Sequence, residues 1–326
     1  MSSNINIGRQ GWSGIALEPA PNTPTSPTDY VQFTTNTLFG DVKNVDISNA
    51  TQNRIKVFNS VPTQKYGKGD LELYADPKIL GYFLVGALGT VNSVNVAGSI
   101  YRHTVTVKNA NSNPQTLSII NDRQGSVDQE AYYSSVVDQL QISVTDGLAT
   151  AKATLVTMFP QTTTSGTATT ASGTVYAFNN TAFAFGAPVA AADGAANLKP
   201  HDFSLTVKNN AKPVFRHGNQ NPDTINVGDF EMDVSFKLYF ENNVDLQKYY
   251  QSSKQAAQLS FTGANLSGVS AEFTKFRWYQ TRIDTFQLET GLSNFYIEDV
   301  KLQPEYDNAN QIAFDAVIQN TKTLYI

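Results

Sequence analysis

Residues 229–238 read DFEMDVSFKL. In a chain with a two-residue repeat, Phe230, Met232, Val234, Phe236 and Leu238 fall on one side, and Asp229, Glu231, Asp233, Ser235 and Lys237 on the other. That alternation predicts a β-strand whose apolar side is buried and whose polar side is hydrated. A shorter stretch, GDLELY at 69–74, repeats it, with Leu71 and Leu73 opposite Asp70 and Glu72. One solvated face is ordinary for an antiparallel sheet. Its recurrence in a chain where charged residues make up only 16% marks Asp70, Glu72, Asp229, Glu231 and Asp233 as candidate functional residues.

Working outward, YVQF (30–33), VDIS (45–48), LELYA (71–75), HTVTV (103–107), LSII (117–120), DQLQISVT (138–145) and TAKATLV (150–156) are short, rich in β-branched and aromatic residues, and separated by turn formers. The chain is predicted to be mainly β. Two segments read as short helices. DPKILGYFLVGALG at 76–89 has Asp76 as N-cap, Pro77 at the first helical position and Gly89 at the exit. NNVDLQKYYQSSK at 242–254 is the other. Residues 1–28, with Pro19, Pro21, Pro24 and Pro27, suggest an extended arm. The Thr/Ser/Gly run near 160–175 reads as a linker.

The second half resembles the first. VDISNATQNRIKVFNS at 45–60 lies over LTVKNNAKPVFRHGNQ at 205–220, and GDLE at 69–72 over GDFE at 228–231. DQL at 138–140 and TAKATLV at 150–156 lie over DVKL at 299–302 and IAFDAVI at 312–318. A nearly constant offset with the strand–helix order kept indicates a tandem duplication of one mostly-β unit.

The composition narrows the function. The chain has 326 residues, a net charge of −5, no cysteine and three histidines. Binding nucleic acid by phosphate neutralisation calls for a basic surplus that is missing. Thiolate chemistry and Cys-ligated metals are excluded. His103, His201 and His217 read as surface or edge residues without metal-site spacing, and no nucleotide-binding or hydrolase motif occurs. The start, MSSNINIGRQGW, has no signal-peptide pattern, and the longest apolar run, FLVGAL at 83–88, is too short for a membrane span. The expectation is a non-enzyme with no catalytic, cofactor-binding or metal-binding residues and no cofactor.

GWSGIALEPAPNTPTSPTDYVQFTTNTL (11–38), KGDLELYADPKILGYFLVGALG (68–89), VVDQLQISVTDGLATAKATLV (136–156) and FSLTVKNNAKPVFRHGNQNPDTINVGDFEMDVSFKLYFEN (203–242) together resemble the two-domain tail tube proteins of tailed bacteriophages. The resemblance runs through nearly the whole chain, on diffuse aliphatic and glycine positions. It implies two tandem β-sandwich or half-barrel domains, each flanked by one helix, assembling into a closed ring. The corresponding boundaries are an arm at 1–28, a first domain at 29–160, a linker at 161–175 and a second domain at 176–326. It further implies trimeric, pseudo-sixfold rings stacked around a channel for DNA. Implied partners are further copies of the chain, a tape measure protein, a tail terminator, distal tail or baseplate proteins, and genomic DNA passing without specific binding. The implied location is the virion tail, after synthesis in the host bacterial cytoplasm. Asp70, Glu72, Asp229, Glu231 and Asp233 would then line the channel, while residues 1–28 and 109–130 would join successive rings. An adhesin, tail-fibre or capsid decoration module is the alternative. It would favour clustered Trp and Tyr on loops, whereas the chain has two tryptophans and scattered tyrosines.

Overall fold

A computed structural model describes residues 11–48, 54–57, 59–109, 112–122, 129–145, 147–163, 174–186, 198–266, 270–289 and 295–325. The strands of the first half are β1 (Trp12–Leu17), β2 (Asp29–Val31), β3 (Phe33–Asn36), β4 (Phe39–Ile47), β5 (Asn59–Tyr74), β6 (Gly89–Ala97), β7 (Ile100–Val107), β8 (Leu117–Asp122), β9 (Gln129–Thr145), β10 (Thr150–Thr157) and β11 (Gln161–Thr163). Those of the second are β12 (Thr181–Phe185), β13 (Asp202–Lys208), β14 (Lys212–Val214), β15 (Thr224–Asn226), β16 (Glu231–Tyr239), β17 (Gln255–Asn265), β18 (Ala271–Glu289), β19 (Ile297–Glu305) and β20 (Phe314–Asn320). Two α-helices interrupt them, α1 (Pro77–Leu88) and α2 (Val244–Tyr250). The mainly-β expectation is met, α1 begins and ends at its capping residues, and α2 lies within the expected segment 242–254. Most of the expected linker, residues 164–173, lies outside the described residues.

Eighteen strands form one hydrogen-bonded network that, among the described residues, does not close into a barrel. Its first half runs β4–β5–β10–β9 and its second β13–β16–β19–β18, all antiparallel. In each half the longest strand serves two neighbourhoods. The first part of β9 pairs with β8 and β11, and its later part with β10 and β13. Likewise the first part of β18 pairs with β17 and β20, and its later part with β19. β1 flanks β8 as β12 flanks β17.

The repeat is therefore visible in the pairing, but β9 answers to β18, and β10 to β19. The expected alignment of DQL with DVKL sets β9 against β19 and is off by one strand. Bulges give the correct register. Asp138 in β9 and Asp284 in β18 are each skipped by the ladder to the next strand. Asp70 then corresponds in position to Ser235, and Tyr74 to Tyr239. The cause is an insertion. The first half carries a hairpin, β6–β7, between its helix and β8, where the second half passes almost directly from α2 to β17. β7 pairs with β20, so this hairpin extends the sheet of the other half.

Apolar sides of the strands bury against α1. The Asp76 carboxylate accepts hydrogen bonds from the backbone N–H of Lys78 (2.8 Å) and Ile79 (3.1 Å), and Gly89 leaves the helix at φ 97°. Such a cap contributes about 1 kcal/mol. Every residue of α1 except Lys78 is buried, and apart from that lysine its sequence is apolar all round. It contacts strands of both halves, including β9, β7, β20 and β18. A segment after β20 locks it in place. The Tyr325 hydroxyl donates to the Lys78 carbonyl (2.7 Å), and the ring occupies the space that a Cβ at Gly81 would take. Lys322 Nζ reaches Asp29 at 2.9 Å, and Asp29 also pairs with Lys78 and accepts from the Tyr82 hydroxyl.

Three expectations change. Residues 12–17 of the supposed arm are a buried strand, β1, held between β2 and β8. Prolines restrict only the segment after it. Residues 117–122, within the stretch expected to bridge rings, are β8, wholly buried. His103 is not a surface residue. It is fully buried, with Nδ1 at 2.7 Å from Ser93 Oγ, Nε2 at 2.9 Å from the Lys322 carbonyl, and burial lowering its pKa.

Candidate functional site

The alternation in β5 and β16 sends Leu71, Leu73 and Val234 into the core, with Met232 and Phe230 packed partly buried against it. Their polar neighbours must then share the opposite face. Register carries that face through five strands. One row runs Asp70, Thr154, Gln139, Lys208, Glu231 across β5, β10, β9, β13 and β16. The next runs Glu72, Lys152, Gln141, Thr206, Asp233. Four of the five candidate residues thus lie on one continuous surface that crosses from the first half to the second. Asp229 does not belong to it. It precedes β16, and its backbone carbonyl accepts from Asn210 Nδ2 at 2.9 Å.

The sequence reading missed the lysines. Lys152 sits between Asp70 (2.9 Å) and Glu72 (3.0 Å). Asp233 is held by Lys208 (2.7 Å) and Lys301 (3.0 Å), and Lys237 faces Asp299 at 3.5 Å. The signal was present: Lys152 lies in TAKATLV and Lys208 in LTVKNN, at polar positions of alternating strands. Considering β5 and β16 alone gave an acidic face. With their neighbours it is a charge-compensated one.

Titration follows from these contacts. At Asp70 burial favours the neutral acid, but hydrogen bonds from Thr154 and Lys152 outweigh it and hold the pKa below the usual aspartate value. Lys208 and then Lys301 lower that of Asp233. The carboxylates raise the pKa of Lys152 and Lys208 in turn. All these side chains are partly exposed, so the pairs are screened and each contributes little to stability. What they achieve is orientation. Each ammonium is drawn towards a carboxylate, with the amides and hydroxyls of Gln139, Gln141, Thr154 and Thr206 between.

Such a surface is hydrated and offers few unpaired cations to a polyanion. Among the described residues no group of three or more His, Asp or Glu could hold a metal ion, and no helix is long and apolar enough to cross a membrane. Comparison with curated proteins finds no match. A family model described as phage tail tube protein matches residues 8–319, a span containing every strand of the polar face. The chain belongs to the phage tail tube protein family.

Proposed function

We propose that three copies of this tail tube protein close into a ring with pseudo-sixfold symmetry, that rings stack into a tube, and that the polar face of β5, β10, β9, β13 and β16 lines the channel through which viral DNA passes. Membership of the family makes the chain a structural component of the virion tail that assembles with itself into a tube. The observation that carries the channel assignment is the face itself. Two rows of charged and amide side chains continue without a break across the junction between halves, as the inner wall of a ring made from repeated units requires. Each half, with its strand set and helix, is one tube domain. The division is near residues 160–175, and three chains supply six domains.

Contacts between layers fall to the far part of the β4–β5 hairpin. Val45 (48% exposed), Ile55 (71%) and Val61 (42%) are exposed there, next to the point where Pro62 and Lys65 of β5 are hydrogen-bonded to Gln220. Exposed apolar side chains on a projecting hairpin suit contact with a neighbouring layer. This replaces the stretch at 109–130, whose centre is buried. Residues 1–10 lie outside the described residues. The remaining expected partners, the tape measure, terminator and distal tail proteins, fit the ends and lumen of such a tube.

Charge reversal tests the channel role. In phage carrying Glu231→Lys with Asp233→Lys, Lys208 and Lys301 lose their carboxylate and two more ammonium groups face the lumen. Tubes are expected to form, and DNA ejection to slow, most strongly at low salt where phosphate attraction is strongest. Asp233→Asn, which removes a charge without reversing it, is expected to eject nearly as wild type. Ejection by the double variant at the wild-type rate at every salt concentration would contradict the assignment.

A further inference from the structure

The junction between the two halves has an unfilled counterpart at each end of the chain. Inside the molecule, the later part of β9 is flanked by β10 on one edge and β13 on the other, with Gln139 opposite Lys208, Gln141 opposite Thr206 and Ser143 opposite Ser204. The corresponding part of β18 has β19 on one edge. Among the described residues no strand pairs with its other edge beyond Thr281. At the opposite end of the sheet β3 and β4, which occupy the place of β13, pair with β5, and among the described residues no other strand pairs with them.

Burial shows the same vacancy. Ile142 of β9 is fully buried beside β13. Its counterpart Leu288 of β18 is 41% exposed. A sheet that stops one strand short leaves an apolar side chain and a row of backbone groups in water, which favours a further strand.

Two pairs of irregularities fix the register. The Asp138 and Asp284 bulges align Gln139 with Thr285 and Gln141 with Gln287. The ladder of β4 on β5 shifts between Lys43 and Asn44, and the chain after β13 turns at Asn210, which has φ 50°. Aligning these makes Asp41 the counterpart of Lys208. In the internal junction the bulge aspartate also serves as an anchor: the Asp138 carbonyl accepts from Asn209 N (2.7 Å), and its carboxylate from Ala211 N (2.7 Å).

We propose that the seam between adjacent copies is an antiparallel pairing of β18 residues 285–289 with residues 37–41 of a second copy of this chain. Thr285 lies opposite Asp41, Gln287 opposite Phe39, and Glu289 opposite Thr37, while the Asp284 carboxylate accepts from the backbone N–H of Asn44. The seam reproduces the β9–β13 junction and carries the polar face into the next molecule. It rests on the tube reading above and adds its partner edges and register. Because the two edges are at opposite ends of one chain, each copy both donates and accepts, as a closed ring or an open filament requires.

The chain's lack of cysteine makes disulfide trapping direct. Thr37 donates its backbone N–H inward to Asp70, so on its outer edge the odd-numbered positions form the closer, non-hydrogen-bonded pairs that suit a disulfide. Glu289→Cys with Thr37→Cys in one chain, assembled and oxidised, is expected to give covalent multimers on a denaturing gel, ending at the closed ring. Glu289→Cys with Asp41→Cys, displaced by four residues, is expected to remain monomeric. Asp284→Ala is expected to fold normally but to need a higher protein concentration to assemble. Wild-type-like tubes by electron microscopy with no crosslink from the matched pair would overturn the seam and leave the tube reading intact. A wild-type chain that forms neither rings nor tubes would overturn both.

Discussion

Glu298 shows how a single carboxyl can act against the fold. It is 3% exposed on β19, and burial, followed by the charges of Asp245 and Glu241, raises its pKa to about 7. Lys248 opposes the shift only in part. A raised carboxyl pKa means that the folded protein binds a proton more tightly than the unfolded chain. The penalty is absent below pH 4.5, grows as pH rises towards 7, and is complete above it. Glu298→Gln is therefore expected to change stability little at pH 4 and to raise it at pH 8, by up to about 3 kcal/mol. Urea unfolding at the two pH values checks this, and an equal effect at both would contradict it. The contrast with Asp233, whose lysine partners lower its pKa, is one of position. Glu298 lies on the buried side of β19 with Val300 and Leu302, between Leu238 and Leu288, whereas Asp233 lies on the polar face with the lysines of the neighbouring strands.

At the scale of elements, α1 was the most legible part of the sequence and α2 less so. Asp76, Pro77 and Gly89 mark both ends of α1 because each does a local job that no tertiary contact needs to supply. Asn243, by contrast, makes no side-chain cap. Asn242 supplies it, accepting from the Val244 N–H at 2.9 Å. What the sequence could not show is the partner that locks α1. Gly81 looks like a helix-weakening residue, yet a Cβ there would lie 2.3 Å from the Tyr325 ring and hydroxyl. Gly81→Ala, which intrinsic propensity alone favours, is expected to destabilise by about 1–3 kcal/mol through overpacking. Its combination with Tyr325→Ala is expected to cost less than the sum of the two single changes, since the clash is then gone. Thermal unfolding of the three variants measures this, and a stabilised Gly81→Ala protein would refute the packing argument.

At the scale of the whole molecule, the repeat was legible but its register was not. GDLE and GDFE match letter for letter apart from one residue, yet Asp70 occupies the place of Ser235, not of Asp229. Local identity lost to topology because the β6–β7 insertion and the different hairpin lengths shift the halves unevenly, whereas bulges at Asp138 and Asp284 stay in place. The polar face was half legible for a related reason. Alternation within a strand gives the sides, but which strands lie next to one another decides whether a carboxylate meets a lysine. The halves are also less separate than a tandem repeat suggests. One apolar cluster contains Leu17 and Leu73 together with Phe276 and Ile318, and the β9–β13 and β7–β20 pairings cross between them. The central claim, that this sheet is the wall of a channel, concerns copies of the chain acting together. Electron cryomicroscopy of the assembled tube is its most direct test. The account predicts three chains per ring with Asp70, Glu72, Glu231 and Asp233 facing the lumen. Six chains per ring, or those side chains on the outer wall, would contradict it.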